Sequence, residues 1–219
     1  MSDRVVRLGI GLVGPGVIGK ALLQQISEHG GRLGSEYGIH LSVFGLVNSR
    51  GMVVTDKASE DPIVLLSCLV SSASPSDHHA FGAHLVAAAK AHAAVPVIVD
   101  ASASQSVADN YLEWLAQGIH VVTPNKRFGS GPLGDYLKGR QLVRQGRALF
   151  FYETTVGAGL PVISTLKHLI ATGDRVKRVE GIFSGTLSYL FNTFDPERMA
   201  WSSLVAQAKG AGYTEPDPR

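Results

Sequence analysis

GLVGPGVIG, from Gly11 to Gly19, is the stretch of sequence that decides the fold. The apolar, β-branched run Val5 to Val13 leads into it and is typical of a buried parallel strand. Apolar residues recur at helical spacing over Val17 to Glu28, and Gly30-Gly31 are expected to end that helix. A second apolar run, Ile39 to Val47, completes a β-α-β unit, which is the opening of a doubly wound parallel sheet.

The glycines Gly14, Gly16 and Gly19 have the spacing of a dinucleotide fingerprint, G-x-G-x-x-G. Gly14 permits a tight turn, Gly16 lets a pyrophosphate approach the backbone, and Gly19 allows close packing of helix and strand. The first N–H groups of the helix then face the anion. Three glycines can fall this way by chance in a chain with 25 of them. Because strand, helix and second strand surround the motif, we predict an α/β protein with a Rossmann-type dinucleotide-binding sheet.

The end of the second predicted strand bears on which dinucleotide is bound. A classical NAD site has Asp or Glu here for the ribose 2′-hydroxyl. This strand ends Val47-Asn48-Ser49-Arg50, without an acid. Arg50 could contact a 2′-phosphate, which favours NADP over NAD; the alternative is a solvated loop residue. Ser102 and Ser104 follow another predicted strand, and hydroxyl groups there either contact the cofactor, which we favour for Ser102, or cap the next helix.

The rest of the chain continues the α/β pattern. Residues 49–62 are expected to form a loop, and the apolar run Pro62 to Val70 has no clear role. The sequence character changes near residue 147, so we predict a dinucleotide-binding domain over residues 1–147 and the incomplete start of an α/β substrate and dimerisation domain over 148–219. The remaining predicted helices are Phe81–Ala94, Val107–Gln117, Leu133–Gln145, Pro161–Thr172, Thr186–Asn192 and Trp201–Lys209, and the remaining predicted strands are Pro96–Asp100, Ile119–Thr123, Ala148–Glu153 and Arg178–Ser184.

Composition excludes several classes of function. The 219 residues are 45% hydrophobic and 17% charged, as in ordinary globular proteins, and a net charge of +2 does not indicate a nucleic-acid partner. No apolar run reaches the roughly 20 residues that span a bilayer, and the N-terminus has no signal or transit pattern. Cys68 is the only cysteine, which fits a reducing compartment. We therefore expect a cytoplasmic protein that binds neither membranes nor nucleic acid.

Lys126 follows the predicted strand that ends at Thr123. The carboxyl ends of parallel strands line the cofactor cleft, so its ammonium group could donate a hydrogen bond to a substrate oxygen beside the nicotinamide. A surface lysine next to Arg127 is an equally good interpretation from position alone.

Several long runs, in order along the chain, resemble the homoserine dehydrogenase family. These runs are GLVGPGVIG (Gly11–Gly19), GIHVVTPNKR (Gly118–Arg127), FYETTVGAGLP (Phe151–Pro161), EGIFSGTLSYLFN (Glu180–Asn192) and AKGAGYTEPDPR (Ala208–Arg219). SCLVSSASPSDHHA, Ser67 to Ala80, departs from the family pattern. The family's next segment, with a substrate-binding aspartate and a second lysine, lies beyond Arg219.

The resemblance implies roles for individual residues. Lys126 falls on the family's active-site lysine near the nicotinamide. Other positions fall on the phosphate loop (Gly16, Val17, Ile18), on a cofactor-contacting hydroxyl (Ser102), on a monovalent-cation site for Na⁺ or K⁺ (Glu153, Val156, Ala158, Leu160) and on the substrate segment (Gly212, Glu215).

The resemblance also implies an activity, the NAD(P)H-dependent interconversion of L-aspartate 4-semialdehyde and L-homoserine. That reaction is a step towards threonine, methionine and isoleucine. A monofunctional enzyme and a homodimer are expected. One alternative is a truncated, catalytically inactive dinucleotide-binding paralogue. Another is a different two-domain NADP enzyme, of the aspartate-semialdehyde or dihydrodipicolinate type. The first of these needs a nucleophilic cysteine in a catalytic loop, where Cys68 does not lie, and the second lacks the FYETTVGAGLP run.

Overall fold

The computed structural model describes residues 5–59, 61–71 and 74–214. The chain forms two compact units, Met1–Tyr152 and Glu153–Arg219. Compactness does not say what each unit binds, so the assignment of residues 1–147 to the dinucleotide and 148–219 to the substrate stays a prediction.

The first unit contains a six-stranded sheet with the strand order β3-β2-β1-β4-β5-β6. All neighbouring strands are parallel except β2 and β3, which are antiparallel. The predicted doubly wound α/β fold is therefore confirmed. The chain passes from β1 outwards to β3 and then crosses to β4 on the other side of β1, so the topological switch point lies between β1 and β4. The strands are β1 Val6–Val13, β2 Ile39–Val47, β3 Met52–Ser59, β4 Val95–Asp100, β5 His120–Val122 and β6 Phe150–Phe151.

Helices cover both faces of this sheet because its central strands are apolar on both sides. Ile10 and Leu12 of β1 pack in one buried cluster with Leu23 of the first helix, while Val13 packs in a second cluster with Phe81 and Leu85. The two clusters lie on opposite faces, since successive strand residues point in opposite directions. The helices of the first unit are α1 Val17–Tyr37, α2 Ile63–Ser71, α3 His78–Ala91, α4 Gln105–Ala108, α5 Tyr111–Ala116 and α6 Leu133–Arg144.

Helix α1 is longer than predicted, because it continues through Gly30 and Gly31 to Tyr37. A glycine inside a helix weakens it by about 1 kcal/mol, but it ends the helix only where the backbone turns left-handed. That turn comes at Gly38, which has φ 66° and donates its N–H to the Gly34 carbonyl. The prediction that Gly30-Gly31 ends the helix was wrong.

The predicted loop over residues 49–62 contains a strand. Strand β3 pairs antiparallel with β2, and its apolar residues Met52, Val53 and Val54 pack against the two cores. Its charged second half obscured the strand pattern, which an edge strand tolerates because only one side of it is paired. The apolar run of unclear role after Pro62 is helix α2.

The predicted helix Val107–Gln117 is divided into α4 and α5 by Asn110. Its side-chain amide donates to the Ser106 carbonyl at 2.7 Å, while its backbone N–H bonds to the Val107 carbonyl instead. A side chain that takes the acceptor of the next helical bond interrupts the helix.

Within residues 153–214, the second unit contains the α-helices α7 Val162–Ala171, α8 Gly185–Thr193 and α9 Trp201–Gly210, preceded by a short 3-10 helix over Glu153–Thr155. Ser184 caps α8 by accepting the Leu187 N–H at 3.2 Å. Leu190, Leu204 and Ala208 form a small buried core between α8 and α9. The predicted strand Arg178–Ser184 is absent, because no strand among the described residues of this unit is available to pair with it.

His120 makes the stability of the first unit depend on pH. Its Nδ1 accepts the Leu149 N–H at 3.0 Å, and desolvation by burial lowers its pKa from 6.5. The unfolded chain therefore binds a proton more readily than the folded chain, so stability present above pH 6.5 is lost as the pH falls through that value. We expect Tm to fall between about pH 7.5 and about pH 5.5, measured by thermal unfolding.

His120→Asn keeps an acceptor oxygen close to the position of Nδ1 but does not titrate. We expect it to make the pH dependence of Tm shallower, by about 1–2 °C over the same range, because the half-exposed imidazole accounts for only part of the dependence. His29→Asn, which makes the same replacement at an exposed position of α1, is the matched control. Equal slopes for His120→Asn and the wild type would contradict the assignment.

Candidate active site

The turn between β1 and α1 lies at the switch point of the sheet. Gly14 has φ 74°, which favours glycine, and a Cβ there would lie 2.9 Å from the Ser102 amide nitrogen. A Cβ at Gly19 would lie 2.8 Å from the Gly14 carbonyl oxygen. The structure therefore brings the first glycine of the motif against Ser102, which follows β4.

Gly16 differs from its two neighbours in the motif, because a Cβ there would meet nothing within 4 Å. Its side faces open space at the N-terminus of α1. No side chain caps this terminus, and the first turn contains no acidic residue. Val17 and Ile18 are exposed at 87% and 63%. Uncapped N–H groups and the positive end of the helix dipole suit a phosphate, so the residues present fit a bound pyrophosphate.

Arg50 lies in the tight turn between β2 and β3. The Asn48 side-chain oxygen accepts the N–H groups of Arg50 and Gly51 at 2.8 and 3.1 Å. Such an Asx turn fixes the backbone at Arg50, whose side chain is exposed. The turn follows β2 directly, at the carboxyl edge where the adenosine ribose of a Rossmann cofactor lies.

A buried polar network joins the loops that follow β4 and β5. The Asp100 carboxylate is fully buried and accepts hydrogen bonds from the Ser102 N–H at 2.8 Å, the Tyr111 hydroxyl at 2.5 Å and the Asn125 amide at 2.9 Å. The Thr123 hydroxyl donates to the Asp100 carbonyl at 2.9 Å. Burial, followed by the neighbouring Asp100 charge, raises the pKa of Tyr111 well above its usual range, so its hydroxyl remains a donor.

The sequence patterns do not predict this network. Asp100 and Thr123 end predicted strands, and Tyr111 lies inside the predicted helix Val107–Gln117. The sequence contains one indication of it. A carboxylate and an amide at the ends of neighbouring apolar strands must form hydrogen bonds either with water or with each other.

Lys126 lies in the loop after β5 and is exposed, whereas its neighbour Asn125 is only 4% exposed. The Lys126 carbonyl accepts the Ser130 N–H and hydroxyl, both at 3.0 Å. The next residue, Arg127, donates its N–H to the Asn125 side-chain oxygen at 3.0 Å. The backbone around the lysine is therefore fixed while its side chain reaches the surface.

The predicted cation loop lies in the second unit. Glu153 accepts the Ser164 N–H at 2.9 Å, so its carboxylate already stabilises the start of α7. Gly157 and Ala158 both have positive φ, 74° and 49°. Left-handed φ at a non-glycine residue persists only where the surroundings hold it, and such residues concentrate at binding sites and tight turns. The described residues contain no group of three or more His, Cys, Asp or Glu side chains suited to a metal ion.

Of the two predicted substrate residues, Gly212 has φ 76° and follows the C-terminus of α9. Its N–H bonds to the Lys209 carbonyl at 3.1 Å, so it also has a structural role in ending that helix. Glu215 lies outside the described residues. Over the three described ranges, no helix is both long and apolar enough to cross a membrane.

The sheet is doubly wound, and at its switch point a helix N-terminus without a side-chain cap lies next to a glycine that borders open space. This combination defines a dinucleotide-binding protein of the Rossmann class. The family model for the NAD-binding domain of homoserine dehydrogenase matches residues 14–153, and the homoserine dehydrogenase model matches residues 161–219. The chain belongs to the homoserine dehydrogenase family.

Individual relatives agree with this assignment. Bifunctional aspartokinase/homoserine dehydrogenase 1 of Zea mays is 48% identical over 214 residues, which cover 97% of this chain and 23% of the relative. Homoserine dehydrogenase of Paracoccidioides brasiliensis is 39% identical over 233 residues, which cover the whole of this chain and 60% of the relative. The chain thus spans only part of the length of these relatives.

Solved structures share the fold. A Candida auris protein of unknown function aligns with a TM-score of 0.76 at 30% identity, covering 97% of this chain and 58% of that one. A hyperthermophilic archaeal homoserine dehydrogenase in complex with NADPH aligns with a TM-score of 0.74 at 22% identity, covering 97% and 64%. At that identity the second likeness supports the fold alone.

Proposed function

We propose that this protein interconverts L-aspartate 4-semialdehyde and L-homoserine with a nicotinamide dinucleotide. The observation that carries the proposal is the position of Lys126 in the loop after β5, which Asp100 ties through Asn125 to the Ser102 loop that lies against Gly14. The nicotinamide, when bound, supplies or accepts the hydride. The Lys126 ammonium donates a hydrogen bond to the reacting oxygen and stabilises the charge that develops there. Gly212 and Glu215 orient the amino acid.

The proposal is tested by oxidation of L-homoserine with NADP, followed through the absorbance of the reduced cofactor. Cofactor binding is measured separately by fluorescence titration with NADPH. Turnover that depends on homoserine supports the proposal. Binding of NADPH without turnover would instead indicate a catalytically inactive dinucleotide-binding protein.

We propose NADP as the preferred cofactor, because Arg50 lies where an acid would bind the ribose of NAD. A charge-assisted hydrogen bond contributes about 1.5–3 kcal/mol, so Arg50→Ala should weaken NADP binding by about 10- to 100-fold. Binding of NAD, which has no 2′-phosphate, should change by less than about twofold. Dissociation constants of both nucleotides for wild type and variant provide the comparison.

Arg144→Ala is the matched control, since it removes an exposed arginine at the end of α6. It should leave both dissociation constants unchanged. An equal loss of NAD and NADP affinity in Arg50→Ala would exclude a contact with the 2′-phosphate.

We propose that the loop of Glu153, Val156, Ala158 and Leu160 binds Na⁺ or K⁺. The support is the pair of positive φ angles at Gly157 and Ala158 next to a carboxylate. Activity should fall when both ions are replaced by tetramethylammonium and return when either is added. Unchanged activity would leave the loop as a strand-to-helix turn that Glu153 stabilises through Ser164.

We also propose a homodimer and a cytoplasmic location, with no nucleic-acid or membrane partner. The second unit exposes large apolar side chains, among them Ile182 at 79%, Phe191 at 69% and Phe183 at 64%, and contact with another polypeptide would bury them. The molar mass in solution tests the dimer. The single cysteine, Cys68, fits a reducing compartment, although the maize relatives are named as chloroplast proteins.

A further inference from the structure

The Asp100 carboxylate connects three separate parts of the first unit. Oδ1 accepts from Ser102 in the loop after β4, and Oδ2 accepts from Tyr111 in α5 and from Asn125 in the loop after β5. A buried carboxylate is tolerated only when donors surround it, and removal of one donor leaves the charge under-satisfied. One side chain therefore determines the spacing of two loops at the carboxyl edge of the sheet.

The network continues from Asp100 to the lysine through Asn125. The Asn125 amide nitrogen donates to Asp100 and to the Ser104 carbonyl at 3.0 Å, and its oxygen accepts the Arg127 N–H. The Asn125 backbone N–H is held by the Thr123 hydroxyl at 2.8 Å. The residues on both sides of Lys126 are thus bonded into the network, so a shift of the Asn125 side chain moves the lysine.

Tyr111 holds the other side of the carboxylate. Its ring is fully buried and packs against Phe128 and Trp114, with centroids 5.3 and 5.8 Å away. The buried ring therefore fixes the position of the Tyr111 hydroxyl, which in turn fixes the position of Asp100 Oδ2. An apolar pair would join β4 and α5 equally well for folding, and replacement of buried polar groups by apolar ones is often neutral or stabilising. An apolar pair would not, however, hold the Asn125 amide in a defined position.

We propose that Asp100, Tyr111 and Asn125 are positioning residues for Lys126, holding its loop at the distance from the Ser102 loop that the reaction needs. The proposal rests on the proposed function, because it assigns these residues to the same site. None of the three needs to touch the substrate. Their effect is on the placement of the lysine, and misplacement by about 1 Å can reduce turnover by as much as 100-fold.

Tyr111→Phe tests the proposal, because it removes one hydroxyl and keeps the ring. We expect kcat for homoserine oxidation to fall by about tenfold, while the dissociation constant of NADPH changes by less than about twofold, since the Gly14–Gly19 turn is untouched. Rates are normalised to the NADPH-binding sites, which removes the effect of misfolded protein. Hydrogen exchange at the Arg127 amide should become faster in the same variant.

Tyr136→Phe is the matched control. Tyr136 also packs against Phe128, but its hydroxyl bonds to Arg140. Should Tyr111→Phe not fold, Asn125→Ala carries the same expectations for turnover and cofactor binding. The proposal is overturned if the tyrosine variants have equal kcat and equal exchange at Arg127, or if turnover and cofactor affinity fall together. Absence of wild-type turnover would contradict the proposed function instead, and hydrogen exchange, which needs no catalysis, would then decide the positioning role.

Discussion

Lys126→Ala is expected to lower kcat for homoserine oxidation by about 100- to 1,000-fold. This is the typical effect of removing one hydrogen-bond donor that stabilises the charge developing in the transition state. Alanine keeps the backbone of the loop, whose bonds from Ser130 and to Asn125 do not involve the lysine side chain. The main loss is therefore expected in turnover, and Tm reports any effect on folding. Steady-state kinetics with NADP and homoserine, together with Tm, measure the two effects separately.

Lys138→Ala is the control for this prediction, because Lys138 is exposed on α6 and paired with Asp135. It should keep wild-type kinetics. If Lys126→Ala has wild-type kcat and KM, Lys126 is a surface residue beside Arg127, as its position alone also allowed. An increase in the KM of homoserine with unchanged kcat would mean that the lysine binds the substrate and the transition state equally strongly.

Much of the first unit could be predicted because its signals are local. Gly14 and Gly19 lie in the same turn, where a Cβ on Gly19 would meet the Gly14 carbonyl oxygen, and the apolar run of β2 has the predicted bounds, Ile39–Val47. Strand β3 escaped prediction because Asp56 and Lys57 interrupt its apolar pattern, which solvent exposure at the sheet edge permits. The end of α1 could not be predicted because several glycines precede Gly38 in the helix, and only the left-handed φ of Gly38 ends it.

The Asp100 network could not be predicted from local patterns. Its bonds join residues 11, 23 and 25 positions apart, which come together only when β4 and β5 pair in parallel. Ser102 and Lys126 both follow predicted strands, which makes them candidate site residues. The bonds by which Asp100 ties their loops depend on the register of β4 and β5. Glu153 accepts the Ser164 N–H, a bond that a strand-to-helix turn explains without a bound cation.

Gly16→Ala is expected to weaken NADPH binding by about 10- to 100-fold while leaving Tm unchanged. Gly16 has a negative φ of −80°, and the added methyl group meets no protein atom within 4 Å. The methyl group therefore enters only the space next to the helix N-terminus. If a pyrophosphate occupies that space, the methyl group displaces it from the N–H groups of Val17 and Ile18. Fluorescence titration with NADPH and thermal unfolding measure the two properties.

Gly31→Ala separates this effect from a general effect of glycine replacement in the same helix. A Cβ at Gly31 also meets nothing within 4 Å, but Gly31 lies inside α1 and away from its N-terminus. Alanine there should stabilise the helix by up to about 1 kcal/mol and leave the affinity for NADPH unchanged. If Gly16→Ala binds NADPH as the wild type does, the open side of Gly16 does not face the cofactor. The pyrophosphate would then have to bind away from the N-terminus of α1, and Lys126 would no longer be expected next to the nicotinamide.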